Sequence, residues 1–100
     1  MEEVRLYKYY IGEFRPKSNL EDNAEEVANY ISDTTLLAEL TAYNATGRYL
    51  DKDIMRKESS VIVEIIDNDK LDGKKLKNRL EVHFGQQEVL VTSSDAWVLE

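Results

Sequence analysis

Val61-Ile62-Val63-Glu64-Ile65-Ile66 is the strongest strand-forming run in the chain. Five of its six residues are β-branched and apolar, suited to a pleated, packed surface. Both faces are apolar except at Glu64, the pattern of a strand in the middle of a sheet. Upstream, Val4 to Phe14 reads as another strand, rich in aromatic and β-branched residues (Val4, Tyr7, Tyr9, Tyr10, Ile11, Phe14) and stopped by Pro16. Downstream, Asp67 to Gly73 is a polar turn region. Leu80, Val82 and Phe84 then alternate with Arg79, Glu81 and His83, which predicts a half-buried strand. Gly85-Gln86-Gln87 reads as a hairpin connection into Val89-Leu90-Val91-Thr92, and Trp97-Val98-Leu99 as a short final strand.

Between the first strand and this group, Ser18-Asn19-Leu20-Glu21 has the spacing of a capping box. Leu20, Ala24, Val27, Ala28 and Ile31 follow as one helical stripe. The stripe loses phase at Ser32–Thr35, and Leu36, Leu40 and Tyr43 fall on nearly the opposite side at 100° per residue. Two helices separated at Ser32–Thr35, the second ending at Gly47, are the simpler reading. Residues 48–58 have no decisive periodicity. The expectation is an α+β fold: one small domain over residues 1–100, with an N-terminal strand, two short helices and a three- to four-stranded antiparallel meander, the helices on one face.

At 42% apolar and 33% charged residues, the 100-residue chain belongs with folded proteins rather than disordered ones. It contains no cysteine, which excludes disulfides, thiolate metal sites and a cysteine nucleophile. Met1-Glu2-Glu3-Val4-Arg5 does not lead into an apolar run, and no stretch is long enough to cross a bilayer. A cytoplasmic protein is expected.

The charge is uneven. Glu21, Asp22, Glu25, Glu26, Asp33 and Glu39 fall between Ser18 and Gly47 with no Lys or Arg among them, and they carry nearly all of the net charge of −7. Such a surface disfavours nucleic acid and anionic membrane and favours a protein partner with a basic surface. Acids in a first helical turn also stabilise the helix against its own dipole, by roughly 0.3–1 kcal/mol each. That accounts for Glu21 and Asp22 without any partner, but less well for thirty residues without a base. Lys70, Lys74, Lys75, Lys77 and Arg79 form the counterpart, read as a charged hairpin that discourages edge pairing or as a complement to the acidic flank of a second copy.

No catalytic constellation is visible. His83 is the single histidine and has no triad partners in sequence. The acidic turn from Asp67 fails the calcium-loop test, because Leu71 stands at its fifth position and Asp72 at its sixth. The glycines Gly12, Gly47, Gly73 and Gly85 are isolated and make no phosphate-binding fingerprint. Neither cofactor nor metal is implied. Tyr7, Tyr9 and Tyr10 on one strand mark a candidate oligomer interface, since tyrosine brings apolar area and a hydroxyl together.

In general type, a small acidic chain without cysteine or catalytic equipment resembles accessory proteins such as phage-encoded inhibitors of host enzymes. From the acidic segment itself the expectation is a non-enzymatic protein-binding module, most concretely an inhibitor, that docks Glu21, Asp22, Glu25 and Glu26, supported by Asp33 and Glu39, on the basic, nucleic-acid-binding surface of a partner enzyme. The alternatives are a homo-oligomeric structural or assembly subunit, and a carboxylate-based metal-dependent enzyme or small-ligand binder.

Overall fold

The structure is a computed structural model that describes residues 2–12, 20–35, 39–67 and 70–99; the side chains of Leu20, Glu21 and Asp22 lie outside that description. Its elements run β1 (Glu2–Ile11), α1 (Leu20–Thr34), β2 (Glu39–Asp51), β3 (Ile54–Asp67), α2 (Gly73–His83) and β4 (Leu90–Val98). The four strands form one antiparallel sheet in the order β2-β3-β1-β4. This is the βαββαβ arrangement of ferredoxin-like folds. The α+β class, the N-terminal strand, two helices beside a four-stranded antiparallel sheet and the central position of Val61–Ile66 stand, but only α1 lies where a helix was read, and the strands are not ordered as a meander.

Alternation along β1 and β3 divides the sheet. Tyr7, Tyr9 and Ile11 of β1 lie opposite Ile65, Val63 and Val61 of β3 on one face. There they meet Ala24, Val27 and Ile31 of α1, and Leu76 and Leu80 of α2, in a single core. Ala24, Val27 and Ile31 of the stripe read along α1 are therefore its buried face. The other face carries Leu6, Tyr10, Ile62 and Ile66 around the Lys8–Glu64 ion pair, and neither α1 nor α2 lies over it.

Three expectations are corrected: the second helix, its end at Gly47, and the strand through Leu80, Val82 and Phe84. The segment read as a second helix is strand β2. Leu40, Ala42 and Asn44 pair with Ile65, Val63 and Val61 on the helix side, while Thr41 and Tyr43 face the other way. Leu40 and Tyr43 mimic a helical interval because the alternate positions Ala42 and Asn44 are only weakly apolar or polar. Gly47 lies inside this strand. Residues 48–58, unassigned from sequence, complete β2 and begin β3, joined by a tight turn with both Lys52 and Asp53 at positive φ, as a two-residue hairpin loop demands.

The third correction is α2, read from sequence as a strand through Leu80, Val82 and Phe84. Asp72 caps it, its side chain accepting from the Lys75 N–H at 3.0 Å. Gly85, at φ 62°, ends it, with the Gln86 N–H closing onto the Glu81 carbonyl at 2.8 Å. The basic cluster therefore lies largely along a helix, not a hairpin. Both periods place Leu80 inside, but only the helix turns Val82 outward, where it is 85% exposed. The capping box at Ser18 lies outside the described residues.

Tyr9 joins the layers. Its ring is fully buried, and its hydroxyl donates to the Gly73 carbonyl at 2.9 Å. A Cβ at Gly73 would lie 2.6 Å from the Tyr7 ring, so glycine is what lets the start of α2 settle on β1. Burial pushes the Tyr9 phenol well above the usual tyrosine range.

The helical assignment of residues 73–83 makes a paired prediction. Leu80→Ala should destabilise the domain by about 2–5 kcal/mol, whereas Val82→Ala should change stability by no more than about 0.5 kcal/mol. Urea denaturation of the two variants checks this; comparable losses would restore the strand reading.

Candidate functional site

The open face of the sheet carries a cleft of about 820 Å³ at the end where β1 stops and the β2–β3 hairpin continues. Its volume lies in the range of small-molecule sites. Tyr10, Ile62 and Leu90 supply the apolar floor, and Glu58 and Ser60 of β3 stand beside them. Gln86, Gln87 and Glu88, from the α2–β4 connection, make the facing wall.

Glu58 lies between two glycines. It is paired across the ladder with Gly47 of β2, and Gly12, just past the end of β1, approaches from the other side. A Cβ at Gly12 would lie 2.7 Å from Glu58 Oε1, and one at Gly47 3.1 Å from Glu58 Cγ. Glycine inside a strand commonly marks such a close approach. Among the described residues, no hydrogen bond or ion pair engages the Glu58 carboxylate. The lining includes a second carboxylate, Glu88, and, among the described residues, no Lys, Arg or His. Elsewhere on the same face charge is balanced: Lys8 Nζ lies 3.2 Å from Glu64 Oε1, which also accepts from the Tyr43 hydroxyl at 3.2 Å.

The wall is tied down by Glu81 on α2. Its Oε2 accepts from the Val89 N–H at 2.8 Å and from Lys77 Nζ at 2.7 Å. The hydrogen bond from Lys77, followed by that from Val89, holds the Glu81 carboxyl below the usual carboxylate range.

The acidic residues singled out from sequence are only partly brought together. Glu21 and Asp22 lie in the first turn of α1, with side chains outside the described part. Glu25 and Asp33 are exposed on α1, and Glu26 is half-exposed and engaged in an interaction of its own. Glu39 is exposed at the start of β2, where it pairs with Ile66 on the open face, across the sheet from α1. Arg79 of α2 reaches α1 at its C-terminal end, donating to the Thr34 carbonyl at 3.3 Å.

The tyrosine expectation changes more. Tyr9 is buried, Tyr7 packs against the core on the helix side but stays partly exposed in a small surface pocket with Lys74 and Lys77, and Tyr10 faces the open side, so the three do not form one surface. His83, expected on a polar strand face, ends α2 and stacks on Tyr30 at 3.9 Å. Among the described residues, no three His, Asp or Glu side chains converge as metal ligands, and no helix is long and apolar enough to cross a membrane. Sequence reading missed Glu58, Gly12 and Gly47 as a unit. The available signal was a glycine inside a strand, hidden once Gly47 was taken as a helix terminator.

No family model matches the chain, and no curated protein matches it. Solved structures do. A phage SAM lyase in complex with S-methyl-5′-thioadenosine superimposes with a TM-score of 0.64 at 19% identity, over 91% of this chain and 80% of that one. The divalent ion tolerance protein CutA1 from Ehrlichia chaffeensis gives 0.67 at 13% identity, over 97% and 84%. The periplasmic divalent cation tolerance protein CutA from Archaeoglobus fulgidus gives 0.60 at 8% identity, over 93% and 82%. At these identities the likeness shows a shared fold. One of these three is an enzyme by name, so the fold alone does not decide between a catalytic and a non-catalytic role.

The Glu81 anchor makes the wall acid-sensitive. Its folded pKa lies below the ordinary value of 4.5, so the anchor is fully present above that value and is lost as pH falls through the lowered one. Amide exchange at Val89, corrected for its intrinsic pH dependence, should accelerate below about pH 4.5 in the wild type, and should lose this pH dependence in Glu81→Gln.

Proposed function

We propose that the chain binds an unphosphorylated nucleoside-type molecule in the open-face cleft, with the Glu58 carboxylate as its principal polar contact. The observation that carries this reading is a carboxylate seated between Gly12 and Gly47 beside an apolar floor, without a partner among the described residues. Tyr10 offers an aromatic surface suited to a base. Glu58 and Glu88 repel phosphate and favour positive charge. A cation about 4 Å from one carboxylate gains on the order of 1–4 kcal/mol between bulk water and a surface site. The phage SAM lyase of like fold was solved with S-methyl-5′-thioadenosine, a neutral thioether. S-Adenosylmethionine adds a sulfonium cation to the same nucleoside, so the two compounds are the natural probes. The cysteine-free composition suits a reducing compartment, and we place the protein in the cytoplasm.

Calorimetry tests the reading. The wild type is expected to bind S-adenosylmethionine more tightly than S-methyl-5′-thioadenosine and to leave ATP unbound. Glu58→Gln should weaken the sulfonium ligand about tenfold or more, and the neutral one less. Binding of neither probe, or equal affinities in wild type and variant, would refute the assignment. Chromatography of the same incubation, read for release of S-methyl-5′-thioadenosine, decides whether the bound sulfonium is turned over.

A second reading is favoured by a separate observation: Glu25 and Asp33 of α1 are exposed, and no ion pair among the described residues engages them. The acidic flank of α1 would then dock on a basic protein surface, as an inhibitor would. Charge reversal at Glu21, Asp22 and Glu25 to Lys should abolish capture of a basic partner at low salt while the thermal midpoint is kept. Retained capture would remove this reading.

A further inference from the structure

Glu81 contacts both ends of one cleft wall from outside the cleft. Its main-chain carbonyl accepts from the Gln86 N–H at 2.8 Å, and its carboxylate accepts from the Val89 N–H at 2.8 Å. Between those two points stand Gln87 and Glu88, which line the cleft together with Gln86. Val89 is fully buried in the core, and the next residue, Leu90, belongs to the cleft floor. The connection is therefore clamped at its entry by the helix terminus and at its exit by one side chain. The entry bond belongs to the backbone and survives any substitution at Glu81 that keeps the helix. The exit bond depends on a side chain long enough to span from α2 to Val89. Lys77, one turn earlier on α2, donates to the same Oε2 at 2.7 Å and orients it.

We infer that Glu81 is a positioning residue for the ligand cleft: it holds the Gln86–Glu88 wall in the shape that receives the ligand. The inference rests on the cleft being the ligand site proposed above. The physical basis is preorganisation. A wall already ordered in the free protein costs little further ordering on binding, whereas a wall released at Val89 must be ordered at the ligand's expense. A residue that only supported the fold would lower stability and leave the affinity of the remaining folded protein unchanged.

The experiment compares the wild type with Glu81→Ala, Glu81→Gln and Lys77→Ala. Calorimetric affinity for S-methyl-5′-thioadenosine and for S-adenosylmethionine is measured beside the thermal midpoint of each protein. Glu81→Ala is expected to bind both probes about tenfold more weakly at a temperature where it is fully folded, chiefly through faster dissociation. Glu81→Gln should stay within about threefold of wild type, because its amide oxygen still accepts from Val89. Lys77→Ala should also stay within about threefold, since it leaves the Val89 bond in place. Glu81→Ser is too short to span to Val89 and gives the same comparison should the alanine variant not fold. Wild-type affinity in the alanine or serine variant would overturn the positioning role and leave the cleft reading intact. A wild-type protein that binds neither probe would defeat the cleft reading, and the positioning role with it.

Discussion

Everything in this domain depends on the odd-numbered side chains of β1 and β3 being buried under both helices at once. Tyr9, Ile11, Val61, Val63 and Ile65 are fully buried, and the same core includes Val27 and Ile31 of α1 and Leu76 and Leu80 of α2. A one-residue slip between β1 and β3 would send the inward set of one strand to the open side. Tyr9 makes that slip costlier still, because its hydroxyl would lose its partly buried hydrogen bond to the Gly73 carbonyl. Register, helix placement and the start of α2 are thus fixed by one shared constraint.

The same alternation builds the other face. With odd residues turned inward, the even residues Tyr10, Gly12, Glu58, Ser60 and Ile62 fall together on the uncovered side, where the cleft lies. The carboxylate is placed by register, since Gly47 is its partner across the ladder. The facing wall is placed by α2, whose last turn turns the chain back at Gly85 and holds Val89 through Glu81. The acidic residues of α1 belong to the opposite layer. The acidic segment of the sequence thus divides between the helical layer and, at Glu39, the open face, while the cleft takes its carboxylates, Glu58 and Glu88, from outside that segment.

How much of this could be read from sequence depends on where periodicity is unambiguous. Val61–Ile66 and the stripe from Ala24 to Ile31 were legible because strongly apolar residues repeat at one period only. Residues 39–51 were not: Ala42 and Asn44 dilute the inward face of β2, and Leu40 with Tyr43 imitates a helical interval across two faces. Residues 80–84 satisfied both periods, and the turn-like Asp72-Gly73 was a helix cap in disguise. Each error hid part of the site. A helix ending at Gly47 removes the strand in which that glycine faces Glu58, and a strand at 80–84 turns the cleft wall into a hairpin loop. The site depends on pairings far apart in sequence, which no local window contains.

Past Ile11, β1 no longer accompanies β3, and the β2–β3 hairpin continues as a two-stranded arm closed at Lys52 and Asp53. Leu50, Ile54 and Met55 near its tip are more than half exposed, so ordering these residues is offset by little apolar burial. An isolated two-stranded ribbon is marginal in water. The tip of the arm therefore rests largely on the ladder between β2 and β3, which is the low-stability end of such a sheet. Amide exchange near Tyr49 is accordingly expected to be faster than in the core strands.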